Sequence, residues 1–318
     1  MIKKKVLIIG GLGFIGSHLA EECLNQGYDV TILSRSKSKI FNIKGFADKV
    51  KLIIKDIACI GEEVAEFDLI IDMSGSVATN DQSIIDGNTM IDIEMNCVNS
   101  IKLLDSLKNH NPQCKVLYSS TFNVNGQPDK LPVDPNSPCK PLSLYGATKL
   151  TAEHFCHIYN NIFDMKAIVI RFTNIFGVRE LSASAQKGRF NYMISQAVKG
   201  YDLNLYNNGD FFRDFLYVTD AARACLTIAE KGSKDQIYYV GRGEFIKFKE
   251  LVDLIVRHTG VSINHVETPD FHNRVGIQDF VCDNTPLKLL GWTPEVSIEE
   301  GIKKTINYYR SLGEDGVE

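Results

Sequence analysis

Short runs of β-branched and aliphatic residues alternate with amphipathic segments through the first half of the chain. The segments between the runs repeat apolar residues at helical spacing, as Ile15, Leu19 and Cys23 do before Gly27. This alternation predicts an α/β fold with a doubly wound parallel sheet, in which ligands bind at the carboxyl ends of the strands. The predicted strands are KVLII at 5–9, DVTIL at 29–33, VKLII at 50–54, DLIIDM at 68–73, CKVLYSS at 114–120 and KAIVIRF at 166–172.

The pattern changes after about Phe176, where a loop-rich stretch is followed by less regular helical and strand-like segments. We therefore predict a first domain over residues 1–175, to which a later segment at about 214–232 returns. Residues 176–318 are predicted to form mainly a smaller α/β lobe.

Composition and charge exclude several classes of protein. The chain has 318 residues, of which 44% are hydrophobic, and this is enough for a large core. Lys and Arg total 35 against 39 for Asp and Glu, so no basic surplus favours nucleic acid or a membrane surface as a partner. The N-terminal MIKKKVLII is interrupted by glycines too early for a signal peptide, and no run approaches the ~20 apolar residues of a membrane helix. A cytoplasmic location is expected.

The eight cysteines lie far apart, without a CxxC pair, and are interpreted as reduced core thiols. His154, Cys156 and His157 are close in sequence but form an incomplete ligand set, so no metal is predicted.

A glycine-rich turn follows the first predicted strand and opens the first helix. GGLGFIG satisfies the spacing Gly11-x-Gly13-x-x-Gly16 and also has Gly10 at its start. Glycine lets the backbone approach a pyrophosphate, whose charge then meets free N–H groups at the helix N-terminus. The motif in this context predicts that residues 1–175 form a Rossmann-type dinucleotide-binding domain, which leaves residues 176–318 as mainly the substrate lobe.

The end of the second strand lacks the carboxylate that usually binds the adenosine ribose. Ser34 stands there with Arg35 beside it, and these side chains suit the additional phosphate of NADP. NADP is therefore favoured slightly over NAD, which can bind without the acidic residue. Asp56, after the third strand, is a candidate partner for the adenine amino group.

Tyr145 and Lys149 of the segment YGATK lie four residues apart at the start of a predicted helix and so share one face. A nearby ammonium and a nicotinamide cation would favour the phenolate form of the tyrosine, which makes it a usable acid/base near neutral pH.

The ordered motifs GGLGFIG, SSTFNVNG, YGATK, RFTNIFG, RDFLYVTD and LGWTPEVSIEEGI resemble those of the extended short-chain dehydrogenases/reductases, specifically the NAD(P)-dependent nucleotide-sugar epimerase/dehydratase group. The resemblance covers roughly residues 3–310. It implies Tyr145 as the catalytic acid/base, Lys149 as the residue that binds the nicotinamide ribose and lowers the tyrosine pKa, and Thr121 as the hydroxyl that bonds the reacting sugar oxygen.

The resemblance also implies the remaining site residues. Asn174, Arg213 and Arg274 match positions that hold the diphosphate of a nucleotide sugar, although Arg213 could instead pair with Asp214 and Arg274 could be solvated. The expected dinucleotide site consists of Gly10, Gly13, Phe14, Ile15, Gly16, Ser34, Arg35, Asp56, Ile57, Ser74, Asn96, Tyr145 and Lys149.

Phe122 and Asn123 follow Thr121, where related dehydratases carry an acidic pair and sugar-acid decarboxylases a glutamate. This departure disfavours both reactions. A 4-keto-sugar reductase or C4 dehydrogenase is the preferred interpretation, an NAD-dependent 4-epimerase is the alternative, and a non-catalytic dinucleotide sensor is a third possibility. Helices near 88–109 and 145–162 present apolar faces, and the resemblance implies that they pair across a two-fold axis as the four-helix interface of a homodimer.

Overall fold

A computed structural model describes residues 3–78, 88–180, 188–268, 274 and 276–313. It confirms the predicted fold class, because seven parallel strands form one central sheet in the order β10-β6-β5-β4-β1-β2-β3. These strands are β1 Lys5–Ile9, β2 Asp29–Ser34, β3 Lys51–Ile54, β4 Leu69–Asp72, β5 Lys115–Thr121, β6 Lys166–Phe172 and β10 Tyr238–Val240. Two small parallel sheets pair β7 Asn174–Phe176 with β9 Phe215–Tyr217, and β8 Leu203–Tyr206 with β11 Ile263–Val266.

The α-helices connect and cover these strands. They are α1 Phe14–Asn25, α2 Asn99–His110, α3 Leu144–Phe163, α4 Arg189–Val198, α5 Val218–Lys231, α6 Phe248–Thr259, α7 Thr285–Leu289 and α8 Ile298–Leu312. A π-helical turn at Ile93–Val98 leads directly into α2. No helix within the described part of the chain is long and apolar enough to cross a membrane.

Apolar residues of the central strands point alternately to the two faces of the sheet, as the period of two in a strand requires. In β1, Val6 and Ile8 join the core that α1 and α5 cover, whereas Leu7 and Ile9 join the core under α2 and α3. This double coverage explains why the strands read as continuous hydrophobic runs. A third core lies among α4, α6, α8 and the strands β7, β8 and β9.

The strand order reverses between β1 and β4. From β1 the chain moves outward to β2 and β3, and from β4 it moves the other way through β5 and β6. The loops that leave the adjacent carboxyl ends of β1 and β4 therefore diverge to opposite faces and open a crevice, where doubly wound sheets bind ligands.

The cysteine prediction is partly wrong. Cys23, Cys114, Cys156, Cys225 and Cys282 are buried free thiols, but Cys59 is exposed. It is the last residue of a short 3₁₀ turn, Ile57–Cys59, whose buried side chain is Ile57. The predicted division at residues 175 and 176 stays a prediction.

Candidate active site

The glycine turn between β1 and α1 is closed too tightly for side chains. Gly10 has a φ of +77°, and a Cβ on Gly11 would lie 2.8 Å from the Ile32 side chain. A Cβ on Gly16 would collide with the carbonyl oxygen of Gly10. The turn thus brings bare backbone to the start of the helix.

The N-terminus of α1 is left open by this turn. Its N-cap residue is Gly13, and among the described residues no side chain caps the helix and no acid lies in its first turn. The first N–H groups of a helix have no intrahelical partner, so those of Phe14, Ile15 and Gly16 can bind an anion. Phe14 and Ile15 also pack their half-buried side chains against the third core, which lies among α4, α6 and α8. The turn fits a pyrophosphate.

The polar side chains at the ends of β2 and β3 contact groups of this protein. Ser34 Oγ donates to the carbonyl oxygen of Ser36 at 2.9 Å, and Arg35 Nη1 lies 3.3 Å from Met95 Sδ. Asp56 accepts from the N–H of Ala58 at 2.8 Å. These groups retain free lone pairs or exposed charge, so they fit the adenosine end of either NAD or NADP.

Tyr145 and Thr121 are brought together by α3 and the end of β5. Ser143 caps α3 by accepting from the N–H of Gly146 at 3.1 Å, which sets Tyr145 in the first turn. The half-buried phenol lies close enough to Thr121 for the two hydroxyls to interact. Burial raises the pKa of Tyr145 to about 12, and the interaction with the Thr121 hydroxyl acts in the opposite direction.

Lys149 lies one turn further along α3, with its side chain 4% exposed. Its Nζ donates to the carbonyl oxygen of Ser119 at 2.8 Å and to that of Ser74 at 3.4 Å. Burial lowers the pKa of Lys149, and the Asp72 carboxylate acts against this effect. The expectation that Lys149 lowers the tyrosine pKa stays a prediction, since the side chain that lowers it in this structure is Thr121.

Asn96 connects the loop after β4 to α3. Its amide donates to Ser76 O at 2.9 Å and to Thr148 Oγ1 at 3.0 Å, and its oxygen accepts from Ser76 N at 2.9 Å. Asn96 is placed by the π-helical turn, a feature that often marks functional sites. Gly75, at φ +153°, lies beside both Asn96 and Lys149. A Cβ on Gly75 would lie 3.0 Å from Asn96 Oδ1 and 3.0 Å from Lys149 Nζ, so a larger residue there would crowd both side chains.

Two of the three proposed diphosphate residues, Asn174 and Arg213, are brought close to each other by the β7–β9 pair. Asn174 Nδ2 donates to Asp214 O at 3.0 Å, across the β7–β9 pair. The guanidinium of Arg213 donates to the carbonyl oxygens of Phe212, Ile277 and Gln278 and lies 4.7 Å from the Phe211 ring.

The alternative of an ion pair between Arg213 and Asp214 is wrong. The Asp214 carboxylate accepts instead from the N–H groups of Arg242, Gly243 and Cys282, and the Arg213 guanidinium faces carbonyl oxygens. Burial, with a further contribution from Arg189, lowers the pKa of Arg213 to about 10. Two positive charges, on Arg213 and Arg189, thus lie close together here, and the Asp279 carboxylate also acts on Arg213. Arg274 is exposed, and the structure gives it no described partner in this group.

The glycine turn, the Tyr145-Lys149 pair and the parallel sheet together are typical of a known enzyme family. The model of the NAD-dependent epimerase/dehydratase family matches residues 6–241, about three quarters of the chain. The chain belongs to this family.

Similar proteins act on nucleotide sugars. A UDP-glucose 4-epimerase from Mycolicibacterium smegmatis is 26% identical over 319 aligned positions, which cover 96% of this chain and 99% of that protein. A UDP-N-acetyl-alpha-D-glucosaminuronate decarboxylase from Bacillus cytotoxicus is 30% identical over 341 positions, covering 99% of this chain and 100% of that one. The crystal structure of UDP-glucose 4-epimerase from Thermotoga maritima with UDP-glucose has a TM-score of 0.85 at 26% identity, covering 97% of this chain and 99% of that one. The protein is thus an enzyme of the extended short-chain dehydrogenase/reductase type.

Sequence reasoning missed two carboxylates that this member of the family places beside the site. Asp72, 1% exposed, accepts from both the N–H and the hydroxyl of Ser74, at 2.9 and 2.5 Å, and its charge acts on Lys149. Asp92 is fully buried, accepts from Ala78 N at 3.1 Å and acts on Tyr145. A signal for Asp72 was present, because an acid ends the otherwise apolar strand LIID.

A buried network behind Thr121 was also missed. Glu153 pairs with Arg171 at 2.7 Å and accepts from the Ser120 hydroxyl, with both charged side chains at most 5% exposed. Arg171 contacts Tyr239 OH at 3.3 Å, and that hydroxyl donates to Asn125 Oδ1 at 2.6 Å. Since removing one partner would leave a buried charge unpaired, this network fixes the end of β5.

Proposed function

We propose that this protein is an NAD-dependent 4-epimerase of nucleoside-diphosphate sugars. The observation that carries the proposal is the contact of Tyr145 with Thr121, in a site where the two residues after Thr121 are Phe122 and Asn123. This arrangement supplies an acid/base for one hydroxyl. It places no carboxylic acid next to Thr121 for loss of water or of carbon dioxide.

The similar proteins favour the epimerase over the reductase that the sequence alone preferred. Epimerases from two bacteria match nearly the full chain, and the family is one of NAD-dependent enzymes. The decarboxylase relative is slightly more similar in sequence. We give it less weight because Phe122 and Asn123 occupy the position at which that chemistry is expected to need a glutamate.

The glycine turn and Lys149 would hold NAD, which when bound would supply a positive charge and a reversible hydride acceptor for C4 of the sugar, so that the hydride can return to either face of C4. Tyr145, as phenolate, would take the proton of the O4 hydroxyl in the first step and return it in the second. Thr121 would hold O4 against the phenol. Protons and electrons therefore balance over the two steps, with no net change in cofactor.

Lys149 would bind the nicotinamide ribose. An ammonium has three hydrogens, and the carbonyl oxygens of Ser119 and Ser74 take two of them. The third is available to a ribose hydroxyl. Because the carbonyl contacts fix the ammonium at the crevice, the ribose bond would orient the reactive ring toward Tyr145.

Arg213 and Asn174 would hold the diphosphate of the substrate, with Arg274 as a further contact. The charge of a diphosphate would compensate the half-buried Arg213 guanidinium, whose pKa partial burial lowers to about 10. UDP sugars are the first substrates to test because the similar proteins act on them or bind them.

The experiment is a product analysis by NMR after incubation with UDP-glucose, UDP-galactose and their N-acetylamino counterparts. We expect one pair to interconvert without net change in reduced-nicotinamide absorbance, and denatured enzyme to release NAD. In Tyr145→Phe, turnover is expected to disappear while dinucleotide affinity stays nearly unchanged. A deoxy-keto or pentose product would contradict the proposal.

A 4-keto-sugar reductase that uses NADPH is the second candidate, and Ser34 with Arg35 is the observation that favours it. Neither side chain repels a 2′-phosphate, and Arg35 is exposed enough to reach one. Ser34→Asp separates the candidates: an NADPH reductase would lose cofactor affinity through charge repulsion, whereas NAD binding would be kept or strengthened. Stoichiometric NADPH consumption by the unmodified enzyme would establish the reductase.

Two copies are proposed to associate through α2 and α3. Val98, Ile158, Ile162 and Phe163 are large hydrophobic side chains 39–66% exposed on or next to these helices. An apolar surface of this kind favours a partner. Light scattering should give twice the mass of the chain, and a monomer at micromolar concentration would contradict the dimer.

A further inference from the structure

Thr121 receives two hydrogen bonds from a single neighbour. The side-chain amide of Asn123 donates to Thr121 Oγ1 at 2.9 Å, and the backbone N–H of Asn123 donates to the same oxygen at 3.2 Å. Thr121 is 5% exposed, so water has little access to its oxygen. A hydroxyl has two acceptor lone pairs and one hydrogen. Asn123 therefore occupies both lone pairs and leaves the hydrogen.

The remaining hydrogen of Thr121 is available to the phenol of Tyr145, because the Thr121 hydroxyl interacts with this phenol and lowers its pKa. With its lone pairs occupied, Thr121 is the donor and the phenol oxygen the acceptor. A donor directed at an ionisable oxygen favours the ionised form of that oxygen. The direction of this single bond thus decides whether Thr121 supports the phenolate or the neutral phenol.

We propose that Asn123 is a positioning residue that fixes Thr121 as a hydrogen-bond donor toward Tyr145. The proposal rests on the proposed function only in taking Tyr145 as the acid/base. Local structure supports it: Thr121 is the N-cap of the 3₁₀ turn Phe122–Asn125, so its oxygen is held over the N–H of Asn123. Phe122 packs its ring 4.7 Å from that of Phe280.

The direction of the hydrogen bond to Thr121 depends on the chemical type of residue 123. An amide nitrogen donates to the threonine oxygen, but a carboxylate there would accept the threonine hydrogen and turn Thr121 away from the phenol. Asn123→Asp keeps the size of the side chain and reverses its hydrogen bonding. Asn123→Ala removes the side-chain donor and leaves the backbone N–H in place.

The test is a titration of Tyr145 in the NAD-loaded enzyme, without substrate. Phenolate absorbance is recorded against pH for each protein and for the same protein carrying Tyr145→Phe, and the difference isolates this tyrosine. We expect the Tyr145 pKa to rise by about 1 unit in Asn123→Asp and by about half as much in Asn123→Ala. An unchanged titration in Asn123→Asp overturns the proposal, since it would mean that the amide nitrogen does not act on Thr121.

A double-mutant cycle with Thr121→Val checks that Asn123 acts through the threonine. In the Thr121→Val background, Asn123→Ala is expected to cause no further shift in the Tyr145 titration. An Asn123→Ala shift that is as large with Val at position 121 as with the native Thr121 would contradict the proposal. Unchanged NAD affinity shows that each variant is folded, and the isosteric Asn123→Asp serves alone if Asn123→Ala does not fold. If the enzyme proves not to be an epimerase, these titrations still decide the role of Asn123.

Discussion

The ammonium of Lys149 lies 2.8 Å from the carbonyl oxygen of Ser119. This contact joins the first turns of α3 to the end of β5, where Thr121 lies, and it holds a buried charge at the carboxyl edge of the sheet. Burial lowers the pKa of Lys149, and the nearby Asp72 and Glu153 carboxylates act against this effect and favour the charged form. The geometry of the site therefore depends on the lysine charge as well as on its position.

Lys149→Met should lower turnover at least about 100-fold, because it removes the charge and the hydrogen proposed for the nicotinamide ribose. Dinucleotide affinity should fall about tenfold with the loss of one charged hydrogen bond. Steady-state rates and a fluorescence titration with NAD measure the two effects. Lys303→Met, which breaks only an exposed ion pair with Glu299, is the control and should leave both quantities unchanged. Equal values for the two variants would contradict the role of Lys149.

Gly16→Ala tests the glycine turn. The added methyl group collides with the Gly10 carbonyl oxygen, so the turn must open, at a cost of about 2 kcal/mol in the free energy of unfolding and with loss of dinucleotide binding. Gly45→Ala is the matched control, because a Cβ there meets no atom within 4 Å. Urea unfolding and NAD titration of both variants check the prediction. Normal NAD affinity in Gly16→Ala would show that the pyrophosphate does not lie on this turn.

His18 should make the folded state less stable in mild acid. The ring lies 3.0 Å from Val178 O, and burial lowers its pKa from 6.5 to about 4. A base whose pKa is lower in the folded state than in the unfolded state contributes stability above its unfolded pKa, here 6.5. This contribution is lost as the pH falls toward the folded pKa of about 4. Between pH 7 and pH 5 the loss from His18 amounts to about 2 kcal/mol.

Glu180 opposes this trend, since burial raises its pKa to about 7 and its contribution is lost as the pH rises through that value. The His18 effect is therefore measured as a difference between proteins. Urea unfolding of the unmodified enzyme and of His18→Gln at pH 7 and pH 5 should show a smaller loss in the variant. The same loss in both proteins would show that His18 does not titrate as described.

The fold could be predicted from sequence because burial on both sheet faces leaves a direct mark on strands. Leu7 and Val6 point to opposite cores, yet both must be apolar, and this produces the continuous runs from which the parallel sheet was inferred. The turn at Gly10–Gly16 was equally readable, because its geometry excludes side chains. The π-helical turn before α2 was not, since hydrophobic periodicity does not distinguish a local change of helical pitch.

The candidate site was predictable where one residue type is required and unpredictable where partners meet from distant segments. Tyr145 and Lys149 lie four residues apart, so their shared face follows from helical geometry. Arg171 and Glu153 meet across elements 18 residues apart, and no local pattern marks such a pair. Asn123 was recognised from the sequence only as a missing acid, because the direction of its amide toward Thr121 requires coordinates.

The most direct test of the central claim uses a UDP sugar carrying deuterium at C4. Hydride removal and return at one carbon predicts that the epimerised product keeps the deuterium at C4, with none in solvent and none in added free dinucleotide. Product NMR and mass spectrometry measure its position. Loss of deuterium to water, or its transfer to released cofactor, would contradict an epimerase that works through Tyr145 and a retained dinucleotide.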